Sequence, residues 1–393
     1  MRPSVRINDL VANINYFARL LGLEILVPRL KLVPRTWFLM MVPVSYTIFC
    51  VHWTVKQTQH HWMDGLKSVV MLGGLINGCC QLITILQRHS DIKQLLNNII
   101  AIYAEYEHRG ADYWNALHLD IARMLNVCQI IRIGYLVSFV VMCAMPGIFL
   151  LYDGRHVTIM QYEIPGLPID TNLGYILTYV QHLISTALGG LFFYMGDLMV
   201  LLSLMQILPF AHIFQLKAAA LNDALHHKEQ SRYLATVGVF VDTDVDVLLL
   251  DLINWHQLFT DYCQIVEHTF DFMIAAQVLS SAISILVCFC VNLSGFHSVS
   301  TIYLLVSAYS MLVYCIVGTQ VEYAYDDVYE ISCNISWYEL SCAQRKLFLL
   351  LLKKAQNMPT IVMLGILPLS VRTALQISKL IYSISMMVMK NRN

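Results

Sequence analysis

Charge is the first thing this sequence is short of. Only 13% of its 393 residues are charged, roughly half the share of an average soluble domain. Its 25 lysines and arginines nearly balance 26 aspartates and glutamates, so the net charge is −1 and no basic field exists to hold a nucleic acid. Catalytic signatures are missing too. There is no Walker phosphate loop, no dinucleotide-binding glycine pattern, no Gly-x-Ser-x-Gly and no Cys-x-x-Cys. His60 and His61 beside Asp64, and the pair His226-His227, lack the spacing of metal ligands on a helix face, so no metal or cofactor is expected. A disordered chain, a nucleic-acid binder and an ordinary soluble enzyme are thereby excluded. No internal repeat is visible, and charge is nearly absent from the first six apolar stretches, which argues against a transporter or proton pump. None of the 11 cysteines falls in an expected external loop, so they read as small apolar packing residues rather than a disulfide framework. No cleavable signal is seen: the one apolar run of the first 35 residues, Leu20–Val27, is short and broken by Glu24.

What remains is apolar. Hydrophobic residues make up 58% of the chain. A helix needs about 20 such residues to cross the roughly 30 Å of hydrocarbon in a bilayer. Seven stretches qualify: Thr36–Val55, Leu66–Leu86, Ile133–Tyr152, Leu173–Phe210, Met273–Leu293, Val299–Gln320 and Thr360–Met389. The expected fold is an all-α membrane protein of seven transmembrane helices. The fourth stretch would be about 57 Å long as a helix, so it should project beyond the bilayer, with Asp197 near the membrane surface.

Basic residues orient the chain. With the N-terminus inside, the cytoplasmic segments hold 18 of the lysines and arginines and the opposite side only four, Lys56, Arg155, Lys390 and Arg392. The N-terminus is therefore expected in the cytoplasm and the C-terminus outside. This is the reverse of a G-protein-coupled receptor, and the Asp-Arg-Tyr and Asn-Pro-x-x-Tyr signatures are absent. External segments are short, so an external ligand must bind among the helices. The 153–172 loop carries Asp153, Glu163 and Asp170 with two prolines, and reads either as a solvated loop or as a cover over a pocket. Cytoplasmic segments look helical at Asp91–Arg109, Asp112–Arg123, Val247–Phe270 and Trp337–Asn357. The division is then 1–35, a cytoplasmic N-terminal segment; 36–320, a ligand-binding bundle of six spans; 321–359, a cytoplasmic helical anchor region; and 360–393, a final span with a short external tail.

The last span differs from the rest. Arg372, Gln376, Lys379 and Ser383 lie within about 60° on a helix, and Lys390 returns to the same line. Between Ser383 and Lys390 the stripe carries only Met386 and Met387. Such a stripe must meet protein or water, since lipid leaves it unsatisfied. It packs on the chain's own helices, or it lines a conduit among several copies, where the methionines would form an apolar constriction.

The tail resembles the insect odorant receptors. That family carries a Pro-Leu-Ser-type turn followed by a helix with Lys-Thr-x-Tyr-Ser. Here Pro368-Leu369-Ser370 and Lys379-Leu380-Ile381-Tyr382-Ser383 stand in those places. Chain length, seven spans, inverted orientation and a long fourth span extend the resemblance. The gustatory signature Thr-Tyr-x5-Gln-Phe is absent, and the tail differs from the co-receptor's. The resemblance implies an odorant-tuned subunit of a ligand-gated, non-selective cation channel, a heterotetramer with the co-receptor in the plasma membrane of a sensory dendrite. Its partners would be the co-receptor, a small volatile odorant, membrane lipids and permeating cations. It implies a pore helix with Met387, beside Met386, at the gate, and with Ser383 and Lys390 lining the path. The odorant pocket would lie in the outer half, among Met71 and Gly74, Met142 and Met145, Tyr179, His182 and Ser185, and Tyr303, Ser307 and Ser310. The last three share a helix face. Alternative readings are a homomeric gustatory-type channel and another seven-helix membrane receptor.

Overall fold

The computed structural model describes residues 2–23, 34–58, 62–154, 156–160, 162–235, 245–295, 298–358 and 360–390. The elements are almost all helical. They are α1 (Pro3–Leu20), α2 (Pro34–Thr58), α3 (Trp62–Gln87), α4 (His89–Tyr106), α5 (Ala111–Asp153), α6 (Asn172–Met205), α7 (Ile207–Ala235), α8 (Val245–Ser294) and α9 (Ser298–Cys333). Then follow a 3-10 turn at Trp337–Glu339, α10 (Cys342–Ala355), the two-residue strands β1 (Val362–Met363) and β2 (Leu367–Pro368), and α11 (Val371–Lys390).

Among the described residues, four helices are long and apolar enough to cross a membrane: Ala111–Tyr152, the near-continuous Asn172–His226, Val245–Ser294 and Val299–Glu339. The first six apolar stretches of the sequence lie on α2, α3, α5, α6–α7, α8 and α9. Only Gln206 separates α6 from α7. Val247–Phe270 and the fifth apolar stretch are one helix, α8, whose 50 residues span about 75 Å. That is more than twice the hydrocarbon thickness, so one end projects.

The seventh stretch departs from expectation. Its first eleven residues are not helical. β1 and β2 form an antiparallel hairpin, Val362 opposite Pro368 and Met363 opposite Leu367. Leu364 and Gly365 turn it with φ of 50° and 69°. Proline at 368 has no N–H for a helical bond, and the left-handed pair closes the turn instead. The helix proper begins at Val371 and its 20 residues still reach about 30 Å. Trp337–Asn357 likewise shortens to α10, which starts at a capping box: the Ser341 hydroxyl accepts from Gln344 N–H, and the Gln344 side chain accepts from Ser341 N–H.

Helical periodicity sets the packing. In α1 the buried positions Ile7, Leu10, Val11, Ile14 and Ala18 form one stripe, and in α4 Ile92, Leu95, Leu96, Ile99 and Tyr103 do the same. The α1 stripe packs on α4 and α6 and the α4 stripe on α1 and α8, giving one large core that includes the wholly buried run Met195–Met205 and is shared with α5, α7, α8 and α9. Within it Tyr262 donates to Ser203 O at 2.8 Å and Trp255 to Phe210 O at 3.0 Å. A smaller core of Cys50, Ile159, Met160, Tyr162, Val287, Cys288 and Val291 sits at the end where the α5–α6 loop folds inward. The two cores leave a cavity between them.

Candidate functional site

The cavity holds about 540 Å³ and is walled by α2, α3, α5, α6, α8 and α9. Its surface is mostly apolar and aromatic, with hydroxyls and amides at intervals. Gly74, Met142, Ser185, Tyr303, Ser307 and Ser310 line it. Met145 stands instead on a small neighbouring pocket of about 10 Å³, which Met142 and Tyr303 share. The side chain of Met71 lies outside the described residues, as do His60 and His61.

Two expected wall residues are turned elsewhere. Tyr179 donates to Cys143 O on α5 at 3.0 Å. His182 is fully buried; its Nδ1 accepts the Met160 N–H at 3.4 Å, and Tyr162 meets its ring edge-on at 4.4 Å. The cause is the α5–α6 loop. Tyr175 donates to Val157 O at 3.1 Å, and Tyr162 donates to Gln181 at 2.9 Å. These bonds draw Ile159, Met160 and Tyr162 inward, where all three are buried and Met160 reaches the cavity wall. Pairing along α6 thus occupies the side chains that sequence alone offers to a ligand.

At the other end of the cavity is a cluster of polar side chains. Asn77 on α3 donates to the Gln277 carbonyl on α8, and Gln277 Nε2 donates to Ser310 Oγ on α9 at 2.5 Å. Asn77 and Gln277 both line the cavity. Asp197 is buried within the protein, 3% exposed, beside the cavity. Tyr135 donates to its Oδ2 at 2.5 Å, Tyr314 to its Oδ1 at 2.7 Å, and Gln81 Nε2 lies 3.4 Å from Oδ1. A buried carboxylate needs such donors. A lone Asp in an apolar stretch, with Tyr and Gln in neighbouring ones, was the available signal.

A second feature lies on α11, which packs against α8 and α9. Its packed side carries Thr373, Ala374, Ile381 and Ser385, all buried. Cys290 of α8 lies 3.5 Å from Ser385 Oγ. The foot is fixed by Val371 N–H donating to Thr319 Oγ1 at 2.9 Å and by Thr373 Oγ1 donating to Pro368 O at 2.7 Å. Gly318 permits this approach, since a Cβ there would sit 2.1 Å from Leu369 O. Arg372, Gln376, Lys379, Ser383 and Lys390 are all exposed. At 100° per residue, Ile381 falls about 180° from Arg372 and Lys390, so the polar line is diametrically opposite the packed side. Met386 and Met387 beside it are 47% and 67% exposed. Of the two readings of this stripe, packing on the chain's own helices is therefore ruled out.

Comparison with known proteins bears on both features. A family profile described as "7tm Odorant receptor" matches residues 64–382. The Drosophila melanogaster protein named "Putative odorant receptor 83c" is 47% identical over 389 residues, covering 98% of each chain. Among solved structures, the olfactory receptor OR5 from Machilis hrabei in complex with eugenol superposes with a TM-score of 0.79 at 12% identity, over 99% of this chain and 100% of that one. The structure of OR5 described without eugenol gives 0.76 at 11% identity, over 98% of each chain.

Proposed function

Because the chain belongs to the 7tm odorant receptor family, we propose that it is the odorant-tuned subunit of a cation channel, assembled as a heterotetramer with a co-receptor in the plasma membrane. Seven helices, α2, α3, α5, α6, α8, α9 and α11, cross the bilayer, with the N-terminus cytoplasmic and residues 321–359, the end of α9 together with α10, as the cytoplasmic anchor region. The carrying observation is the exposed polar line of α11, diametrically opposite its packed side. A polar face directed away from its own bundle, on a helix long enough to span, has a stable environment where copies of that face enclose water. Met386 and Met387 then form the constriction that closes by drying.

A small volatile binds in the cavity between the two cores. The volume of about 540 Å³ fits the usual range for small-molecule sites, and the wall of Met and aromatic groups with a few hydroxyls suits an apolar ligand with one polar atom. The solved neighbour is in complex with eugenol, itself a small and mostly apolar volatile. Gating is a population shift: the ligand binds the open arrangement more tightly, and α8 and α9, which wall the cavity and also carry α11, transmit the change.

Whole-cell currents across a panel of small volatiles, with and without a co-receptor, test this reading. Odorant-dependent cation current only on co-expression is expected. Current from this chain alone would favour a homomeric channel, and no current to any volatile with both subunits at the surface would overturn the proposal.

A further inference from the structure

The exposed line of α11 is not merely polar; it is positively charged from end to end. The helix Val371–Lys390 contains no Asp or Glu. Arg372, Lys379 and Lys390 fall within about 20° of one line and extend over about 27 Å of helix. All three are exposed, and among the described residues no carboxylate pairs with any of them. Unpaired cations of this kind are costly in hydrocarbon, so a spanning helix turns them to water.

We propose that Arg372, Lys379 and Lys390 make this subunit a valence filter, favouring monovalent over divalent cations in the current it carries. The inference rests on the reading of α11 as conduit lining. The physical basis is that Coulomb repulsion doubles with the charge of the passing ion. At about 7 Å in water, one ammonium opposes a monovalent ion by about RT and a divalent ion by about twice that. The difference lowers the relative occupancy of the divalent ion roughly threefold per lysine. Ionic screening acts over about 8 Å, so only charges that face the conduit contribute.

The test uses the chain co-expressed with its co-receptor, with reversal potentials measured in calcium against sodium. Lys390→Gln and Lys379→Gln should each raise the calcium-to-sodium permeability ratio about threefold, and Lys390→Glu about sevenfold. Lys390→Cys gives a second route that does not depend on those variants conducting. A cationic thiol reagent should bring the ratio back down toward the parent's, and an anionic one should raise it further. Ratios unmoved by every substitution and reagent overturn the filter. Ser383→Cys separates the two levels of the argument. Block by a thiol reagent with unmoved ratios leaves the conduit and removes the filter; no block with unmoved ratios removes both.

Discussion

The phenol of Tyr314 on α9 donates a 2.7 Å hydrogen bond to Asp197 on α6. Tyr135 on α5 and Gln81 on α3 reach the same carboxylate, so four cavity-wall helices meet at one side chain. Replacing Tyr314 by Phe removes one donor without changing shape. A lost bond to a buried carboxylate costs about 1–3 kcal/mol. Thermal unfolding in detergent should show Tyr314→Phe melting below the parent, and Tyr309→Phe, whose hydroxyl donates to Ile130 O in an exposed position, close to it.

The contact between Gly318 and the backbone at Leu369 fixes the foot of α11. An alanine Cβ cannot share space with a carbonyl oxygen 2.1 Å away, so α9 or the hairpin must shift. Gly318→Ala should cost about 1–3 kcal/mol. It should also alter gating, because the displaced segment leads directly into Val371. Surface expression and odorant-evoked current, measured together, distinguish a folding loss from a gating change.

Tyr303 lines the main cavity and its small neighbour alike. Tyr303→Ala removes a ring whose contacts are worth about 0.5–1.5 kcal/mol. Half-maximal odorant concentrations should move roughly two- to tenfold, with the rank order of volatiles changed. A response spectrum identical to the parent's would remove Tyr303 from the binding site.

Met387 is 67% exposed, so its substitution should leave stability within about 0.5 kcal/mol. Conduction should respond strongly. Met387→Ser hydrates the constriction and is expected to raise current in the absence of odorant; Met387→Trp is expected to lower the evoked current. Single-channel recording reads both.

Glu107 gives a pH dependence. It accepts the Ser4 N–H at 2.9 Å at the start of α1, and Arg2 lies 3.7 Å away. Burial by itself would raise its pKa, but the bonds from Ser4 and the charges of Arg2 and His108 outweigh that and hold it below the ordinary glutamate value. A carboxyl depressed on folding stabilises above its unfolded pKa, near about 4.3. That contribution disappears as pH falls through the folded value. Melting curves should therefore show the parent losing stability on acidification below about pH 4.3. Glu107→Gln should melt lower at neutral pH and show a weaker acid response.

Apolar composition and 3.6-residue periodicity by themselves dictated a helical membrane chain, because a single long apolar segment satisfies its own backbone in hydrocarbon only as a helix. The positions of the apolar runs, the overlong fourth one and the polar line Arg372–Lys390 are properties of single helices and could be read one segment at a time. Only the tertiary structure decided which way that line faces, because packing of Ile381 and Ser385 on neighbouring helices excludes the opposite side. Partners are equally invisible in one dimension. Asp197 is satisfied by Tyr135, Tyr314 and Gln81, far apart in sequence. His182 and Tyr179 are claimed by Met160, Tyr162 and Cys143. The hairpin before α11 arose where Pro368 and the left-handed pair Leu364-Gly365 overrode an apolar run that read as helix. Hydropathy reports how a residue likes its surroundings, whereas its hydrogen-bond partners depend on which helices come to lie beside it.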